Sequence, residues 1–443
     1  MTSDRPNTTD YIHPQENNLL NIHKAMEYNA LGQPVIRTVG NGSNYSNAGN
    51  IDGAKDAFGR LRVSEPVTLF DSSFRYGDND FNWSNYQTSG DAVVSHLANE
   101  STISLYLGTT ADEEIIRETK RVFQYQPGKS LLVLNTFCMA TAKANLRQRV
   151  GYFGANNGIY FEQNGTGYNI VRRSYTSGAV DNTQVSQGAW NVDPLDGTGP
   201  SGVTADFSKT QIFWMDVEWL GVGSVRTGFV INGQFLICHI FHHANILDKV
   251  YMTTATLPIR YEIKNTGTTA TSSTMRQICS SVMSEGGYTP SNTTRSASSD
   301  IDGKNISDTV FTPLVAIRLR AGREDSIAVP ITADLFGLQQ AAFKWAIIKG
   351  ANVVGGTFVP AADNSSVEYN ITATEQNSGV ILQEGVFVGA TKGGAQGLDL
   401  RPYAYSMQLT RRLDGTRESL VLCALATTNN DDAVGSLTWQ EDV

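Results

Sequence analysis

Gln211–Asn245 reads QIFWMDVEWLGVGSVRTGFVINGQFLICHIFHHAN. No other stretch of the chain packs Trp, Phe, Ile and His so densely, and its punctuation is that of paired strands. Ile231-Asn232-Gly233 carries the Asn-Gly step that marks a tight β-hairpin, and a Gly-rich bend precedes Arg226. Alternate residues of a strand share a face. Phe213, Met215, Val217 and Trp219 therefore fall on one side, and Trp214, Asp216, Glu218 and Leu220 on the other. The stretch is expected to be the core hairpin of a β-sandwich.

Composition agrees. At 443 residues the chain exceeds the roughly 250–300 residues that one hydrophobic core supports, so two or more domains are expected. Apolar residues make up 40% and charged residues 17%, the latter low against a usual ~25%. The 41 glycines and the many Asn, Thr and Ser residues suit short strands and polar turns and argue against a helical bundle. The net charge of −9 comes without a concentrated basic patch, which argues against nucleic acid as a partner. Cys138, Cys238, Cys279 and Cys423 are far apart with no CxxC, against a zinc site or redox dithiol. No cofactor and no metal are expected. The start, MTSDRPNTTDYIHPQ, lacks the pattern of a signal peptide, and no apolar run approaches the ~20 residues of a membrane helix.

Taken in order, residues 1–50 read as an arm and tether. Leu19, Ile22, His23 and Met26 recur at helical spacing within Gln15–Tyr28, predicting a helix of about three turns, marginal alone. Pro34-Val35-Ile36 reads as extended, and Gly40–Asn50 as a linker. Leu19, Ile22, Met26, Val35 and Ile36 are the candidate assembly residues of this arm; the alternative is a terminus packed on its own domain. The chain is expected to be all-β, with residues 51–288 forming a large jelly-roll or concanavalin-like β-sandwich, hairpin turns at Asn156-Asn157-Gly158 and Asn164-Gly165 and a buried strand at Ser130–Ala140. Glu114–Gln124 fits strand or helix. Residues 289–308, TPSNTTRSASSDIDGKNISD, have almost no apolar side chains and read as a domain linker. Residues 309–443 are expected to form a second β-sandwich domain, including strands at Tyr403–Gln408 and Ser419–Ala426.

Asp56–Phe74 reads DAFGRLRVSEPVTLFDSSF. The run DAFGRLRVS-x-P followed by TLFDS closely resembles a segment of virion structural proteins of tailed phages, chiefly marine cyanobacterial ones. YQPGKS at Tyr125–Ser130, RVGYF at Arg149–Phe153 and LPIRYEI at Leu257–Ile263 are similar to further pieces of that family, and the resemblance spans residues 50 to 300. It implies a virion location and a homo-oligomer, a trimer by family analogy. It also implies other virion proteins as partners and a role as tail fibre, tail adaptor or other particle-attached component. It brings no catalytic residues. The hairpin is also similar to that of concanavalin-like lectin sandwiches, which keeps open an adhesin binding host surface glycan and a polysaccharide depolymerase; a capsid decoration protein rather than a tail component is a further alternative.

The chemical candidates sit on the first strand of the opening stretch. Asp216 and Glu218 would project side by side, roughly 6–7 Å apart at the backbone. Laminarinase-type glycosidases carry Glu-x-Asp-x-Glu on such a strand, but Trp214 stands here in place of the first Glu. Without a second catalytic carboxylate a retaining mechanism fails, so no catalytic residue is assigned and a non-enzyme is expected. Trp214, Asp216 and Glu218 remain candidate glycan contacts, the alternative being ordinary sheet residues. His239 and His243 share a face that His242 does not, and read as interior histidines rather than metal ligands. Asn191–Gly197 clusters oxygen side chains out of register for a calcium loop. Gly128-Lys129-Ser130 fails as a phosphate loop, because Phe123 stands where that loop needs Gly.

Overall fold

The computed structural model describes residues 26–28, 34–36, 65–288, 293–389, 395–428 and 431–442. The chain divides into two units, Met1–Ser64 and Glu65–Val443. In the first, Met26–Tyr28 pairs antiparallel with Pro34–Ile36, Met26 opposite Ile36. This corrects the predicted helix at its C-terminal end: Met26 is in a strand, while Val35 and Ile36 are extended as expected. The β-branched pair Val35-Ile36 offers a ladder, and a helix of three turns has little intrinsic stability to set against it. Leu19, Ile22 and the DAFGRLRVS run lie outside the described residues.

The second unit is all-β. An eight-stranded antiparallel sheet runs Gln234–Phe241, Val225–Ile231, Gln211–Val217, Ser130–Cys138, Ser273–Glu285, Thr102–Leu107 and Val93–Leu97, with Pro66–Ser73 paired to Ser273–Glu285. A seven-stranded sheet runs Asp181–Ser186, Gly167–Ser174, Gly158–Asn164, Leu146–Phe153, Ile259–Asn265, Glu114–Thr119 and Trp83–Gln87. Glu114–Thr119 is thus strand, not helix. The two sheets share one core. Phe161 of the second sheet meets Phe213 and Phe229 of the first, ring centres 5.8 and 5.2 Å apart. Phe213, Met215 and Val217 are fully buried there, as alternation predicts. The hairpin turn is at Asn232-Gly233, both at positive φ (53° and 75°), the backbone that makes Asn-Gly the favoured pair.

A second sandwich follows, with its own core. One sheet runs Thr293–Ser298, Asp431–Glu441, Ala328–Gly337 and Ala395–Asp399, with Lys304–Ile306 also on Asp431–Glu441. The other runs Val359–Pro360, Val367–Asn370, Thr312–Leu319, Ser419–Ala426, Ala342–Val354 and Glu375–Asn377, with Val380–Val388 on Ala342–Val354. Two expectations are corrected here. The stretch read as a linker, 289–308, contributes two strands, because the last strand of the chain supplies their hydrogen bonds (Arg295 opposite Trp439, Asn305 opposite Asp432). Tyr403–Gln408 is not a strand. A 3-10 turn at Arg401–Tyr403 leads into a one-turn helix at Ala404–Met407, where Pro402 fixes φ and removes the N–H a central strand would need.

The sandwiches meet within one compact unit. Lys120 and Glu418 are 2.8 Å apart, Arg411 and Glu118 3.0 Å, and Gln124 Nε2 donates to Asp442 at 2.8 Å. Among the described residues no helix is long and apolar enough to cross a membrane.

Candidate functional site

The eight-stranded sheet turns one face to the core. The register fixes what lies on the other. Trp214 is opposite Leu134, and Asp216 opposite Leu132. Leu134 is opposite Ser281, and Leu132 opposite Met283. On the other side Asp216 is opposite Arg226. Ile212, Leu132, Leu134 and Met283 are all half-buried on this outer face, and Phe235 at its edge is 53% exposed. Phe235 meets Trp214 edge to face at 5.4 Å. Trp214 is itself only 4% exposed, and its indole N–H has no partner among the described residues. An antiparallel sheet with a free face usually alternates apolar inward with polar outward; this face does not.

Asp216 lies at one end of the apolar patch. Arg226 Nε donates to its Oδ2 at 2.8 Å, Arg226 Nη2 contacts the same oxygen, and the Ser130 hydroxyl donates to Oδ1. Both carboxylate oxygens are therefore engaged. Glu285 stands across the sheet, in the register position opposite Ser130. Burial and the nearby Asp216 carboxylate push the Glu285 carboxyl up, and Arg226 pulls it down. The sequence reading missed Glu285: it is 69 positions from Asp216 along the chain, and only strand pairing brings them together.

Glu218 does not join this group. The strand ends at Val217, because Gly221 and Gly223 turn the chain there; Glu218 is exposed and its Oε2 accepts from Ser224 N at 3.2 Å. The expected side-by-side pair of Asp216 and Glu218 is thereby corrected: Asp216 is locked in the sheet and Glu218 caps the following turn.

The other candidates resolve into structure. His239 and His243 are buried and His242 is exposed, as strand parity predicts. His243 stacks on Tyr251 at 3.9 Å and 8°, and its Nδ1 lies 2.5 Å from the Gly223 carbonyl. Burial lowers both His239 and His243 to about 4, so both are neutral at pH 7. In the Asn191–Gly197 loop, Asp193 accepts from the backbone N–H of Leu195 at 2.9 Å and of Ser201 at 2.8 Å, which makes it a loop brace. Among the described residues no cluster of three or more His, Cys, Asp or Glu is placed to hold a metal ion.

No protein-family model and no curated protein matches the chain. Some solved structures align with about half of the chain at low similarity. The catalytic domain of an endo-1,3-β-glucanase (laminarinase) from Thermotoga petrophila is 13% identical and covers 51% of this chain and all of its own, with a TM-score of 0.35. A legume lectin-like domain from Entamoeba histolytica is 9% identical and covers 49% of this chain and 97% of its own, with a TM-score of 0.30. A protein of unknown function from Shewanella oneidensis is 11% identical and covers 58% of this chain and all of its own, at 0.34.

Proposed function

We propose that this chain is a structural protein of a tailed-phage particle, a tail fibre or tail adaptor, that works by docking against a second copy of itself. The observation that carries the reading is the outer face of the eight-stranded sheet, where Ile212, Leu132, Leu134, Met283 and Phe235 stand where polar side chains belong. An outward sheet face that is apolar in this way marks an interaction surface. At its end Asp216 and Arg226 are paired with each other, so covering that pair strands neither of its charges. The phage-like segments at Asp56–Ser72 and Leu257–Ile263 support the particle assignment. Further virion proteins are the expected neighbours of the oligomer.

The test is the mass of the full chain by light scattering, beside Phe235→Lys and Met283→Lys. The wild type is expected to self-associate and both variants to be monomeric with unchanged thermal melts. A monomeric wild type, or variants that still associate, would overturn docking through this face. Antibody labelling of particles locates the protein; label absent from the particle removes the virion reading.

A second reading is favoured by the polar end of the same face. Phe235 offers an exposed ring for stacking, and Asp216 and Glu285 offer acceptors further along the same face, the mixture of contacts that sugar recognition uses. A host-glycan adhesin would use them. Hydrolysis is the weaker form, since a retaining mechanism needs a free nucleophilic carboxylate about 5–5.5 Å from the acid, and Arg226 and Ser130 hold both oxygens of Asp216. A glycan array with Glu285→Gln as control tests binding; a reducing-end assay on host polysaccharide tests cleavage. Silence in both removes this reading and leaves the first.

A further inference from the structure

A cavity of about 290 Å³ lies where the two sandwiches meet. Its walls are mostly apolar: Val122 and Phe123 from the first sandwich face Ile327, Val329 and Ile331 from the second, with Ala404 of the short helix at one side. Gln124, Gln408 and Gln440 also line it, with two arginines: Arg401, exposed and paired with Asp399, and Arg121. The Arg121 side chain is buried, 7% exposed as a residue, and no carboxylate among the described residues pairs with it. Nε donates to Gln408 Oε1 at 3.1 Å and Nη2 to the Leu69 carbonyl at 3.2 Å. Nη1 has no hydrogen bond among the described residues.

Arg117, four residues earlier, in the strand Glu114–Thr119, shows a buried arginine that is complete. Its Nε donates to Gln277 at 2.7 Å, its Nη1 to Asn85 at 2.5 Å and its Nη2 to the Asp78 carbonyl. No cavity adjoins it among those described. Both arginines lie over aromatic rings, Arg117 over Phe74 and Trp83 and Arg121 over Phe123 and Tyr405, but only Arg121 lines the void. Burial lowers it to about 10, so it is still a cation at neutral pH. The groups that favour its charge, Tyr405 and Tyr288, are phenols, uncharged at that pH. Buried charges in proteins are paired, and this one has a hole where its partner would be.

We infer that this cavity binds a small amphiphilic carboxylate, its head group against the free edge of the Arg121 guanidinium and its apolar tail between Phe123 and Ile331. A guanidinium fork matches a carboxylate, and a largely apolar void rejects a fully hydrated anion. The ligand would tie the two sandwiches together, since both supply its walls. This site is independent of the outer-face docking proposed above.

Calorimetric titration of the full chain with octanoate, octanol and inorganic phosphate tests it. Octanoate is expected to bind about tenfold or more tightly than octanol, through the charge-assisted contact, and phosphate not at all. Arg121→Gln should abolish the preference for octanoate over octanol. Ala404→Phe, which fills the cavity and keeps the arginine, should abolish octanoate binding. Equal binding of octanoate and octanol would make the void merely apolar, and phosphate binding would make it a bare anion site. Octanoate binding that survives Ala404→Phe would place it elsewhere, and no octanoate binding to the wild type would leave the cavity without this ligand. Each of these results overturns the inference.

Discussion

Arg411 donates from Nη1 to Oε1 of Glu118 at 3.0 Å, joining a loop of the second sandwich to a strand of the first. The Glu118 side chain is 2% exposed, and its other oxygen accepts from Arg260 Nη1 at 2.9 Å. Arg260 in turn pairs with Glu262, and Glu262 with Arg149. A row of alternating charges on the outer side of the seven-stranded sheet thus ends in a cross-sandwich ion pair. Burial pushes the Glu118 carboxyl up and the two guanidiniums pull it back.

Removing Arg411 leaves Glu118 buried with half its partners. Arg411→Ala is expected to lower stability by about 2 kcal/mol, the scale of a lost hydrogen bond to a charged group. Urea unfolding measures it. A double-mutant cycle with Glu118→Gln should show coupling, as contacting residues do. Arg401→Ala breaks an exposed pair with Asp399 and should leave the urea midpoint unchanged.

The junction should loosen in acid. Burial pushes the Glu418 carboxyl up, but hydrogen bonds from Lys120 and Arg412 outweigh it and hold the group at about 2, against an ordinary 4.5. The unfolded chain then binds more protons than the folded one between those values, so this stabilisation is full above 4.5 and is lost as pH falls toward 2. Limited proteolysis at falling pH should cut between the sandwiches in that window. Glu418→Gln should show the same cleavage already at pH 7.

A second pH window lies higher and belongs to the first sandwich. His239 and His243 fall to about 4 from an ordinary 6.5 through burial, with His242 adding to both and Arg172 to His243. The folded state keeps them neutral while the unfolded chain takes up protons. Stability is therefore complete above 6.5 and declines as pH drops to 4. Unfolding free energies measured across that range should slope downward, and the slope should flatten in the double variant His239→Gln, His243→Gln.

Gly158 ends the turn after Asn157 at φ 144°, and a Cβ there would sit 2.1 Å from Phe153 Cβ. Gly158→Ala is expected to cost about 3 kcal/mol through strain and overpacking. Gly165, in the next hairpin, also has positive φ but open space around it. Gly165→Ala should therefore cost less, the backbone penalty alone. Thermal melts of the two variants separate the effects.

Much of the fold was legible because it is encoded locally. The turns expected at Asn157-Gly158, Asn164-Gly165 and Asn232-Gly233 all sit at strand junctions: Gly158 opens a strand, Asn164 closes it, and Asn232-Gly233 is the loop itself, with Gly158, Gly165, Asn232 and Gly233 at the positive φ that few other residues adopt. The face of Phe213, Met215 and Val217 followed from period two. Thr293–Ser298 was not legible: TTRSAS has no apolar alternation, and it is a strand only because Asp431–Glu441 presents an edge to it. Asp431–Glu441 itself buries Ala433, Leu437 and Trp439, a signal present in the sequence that the reading passed over.

The sequence by itself determined the class of the protein: a chain of short strands, apolar on alternate positions and turned by Asn-Gly pairs, can only bury its apolar side against another sheet. Only the tertiary structure decided which charges meet. Asp216 could be read as free until Arg226 and Ser130 were found on it, Glu285 joined it from a distant strand, and Arg121 was left facing a void between the sandwiches. Alternation along a strand is set by the backbone within a few residues. The company a charged side chain keeps is set by pairing between strands far apart in the chain, and no local pattern carries that information.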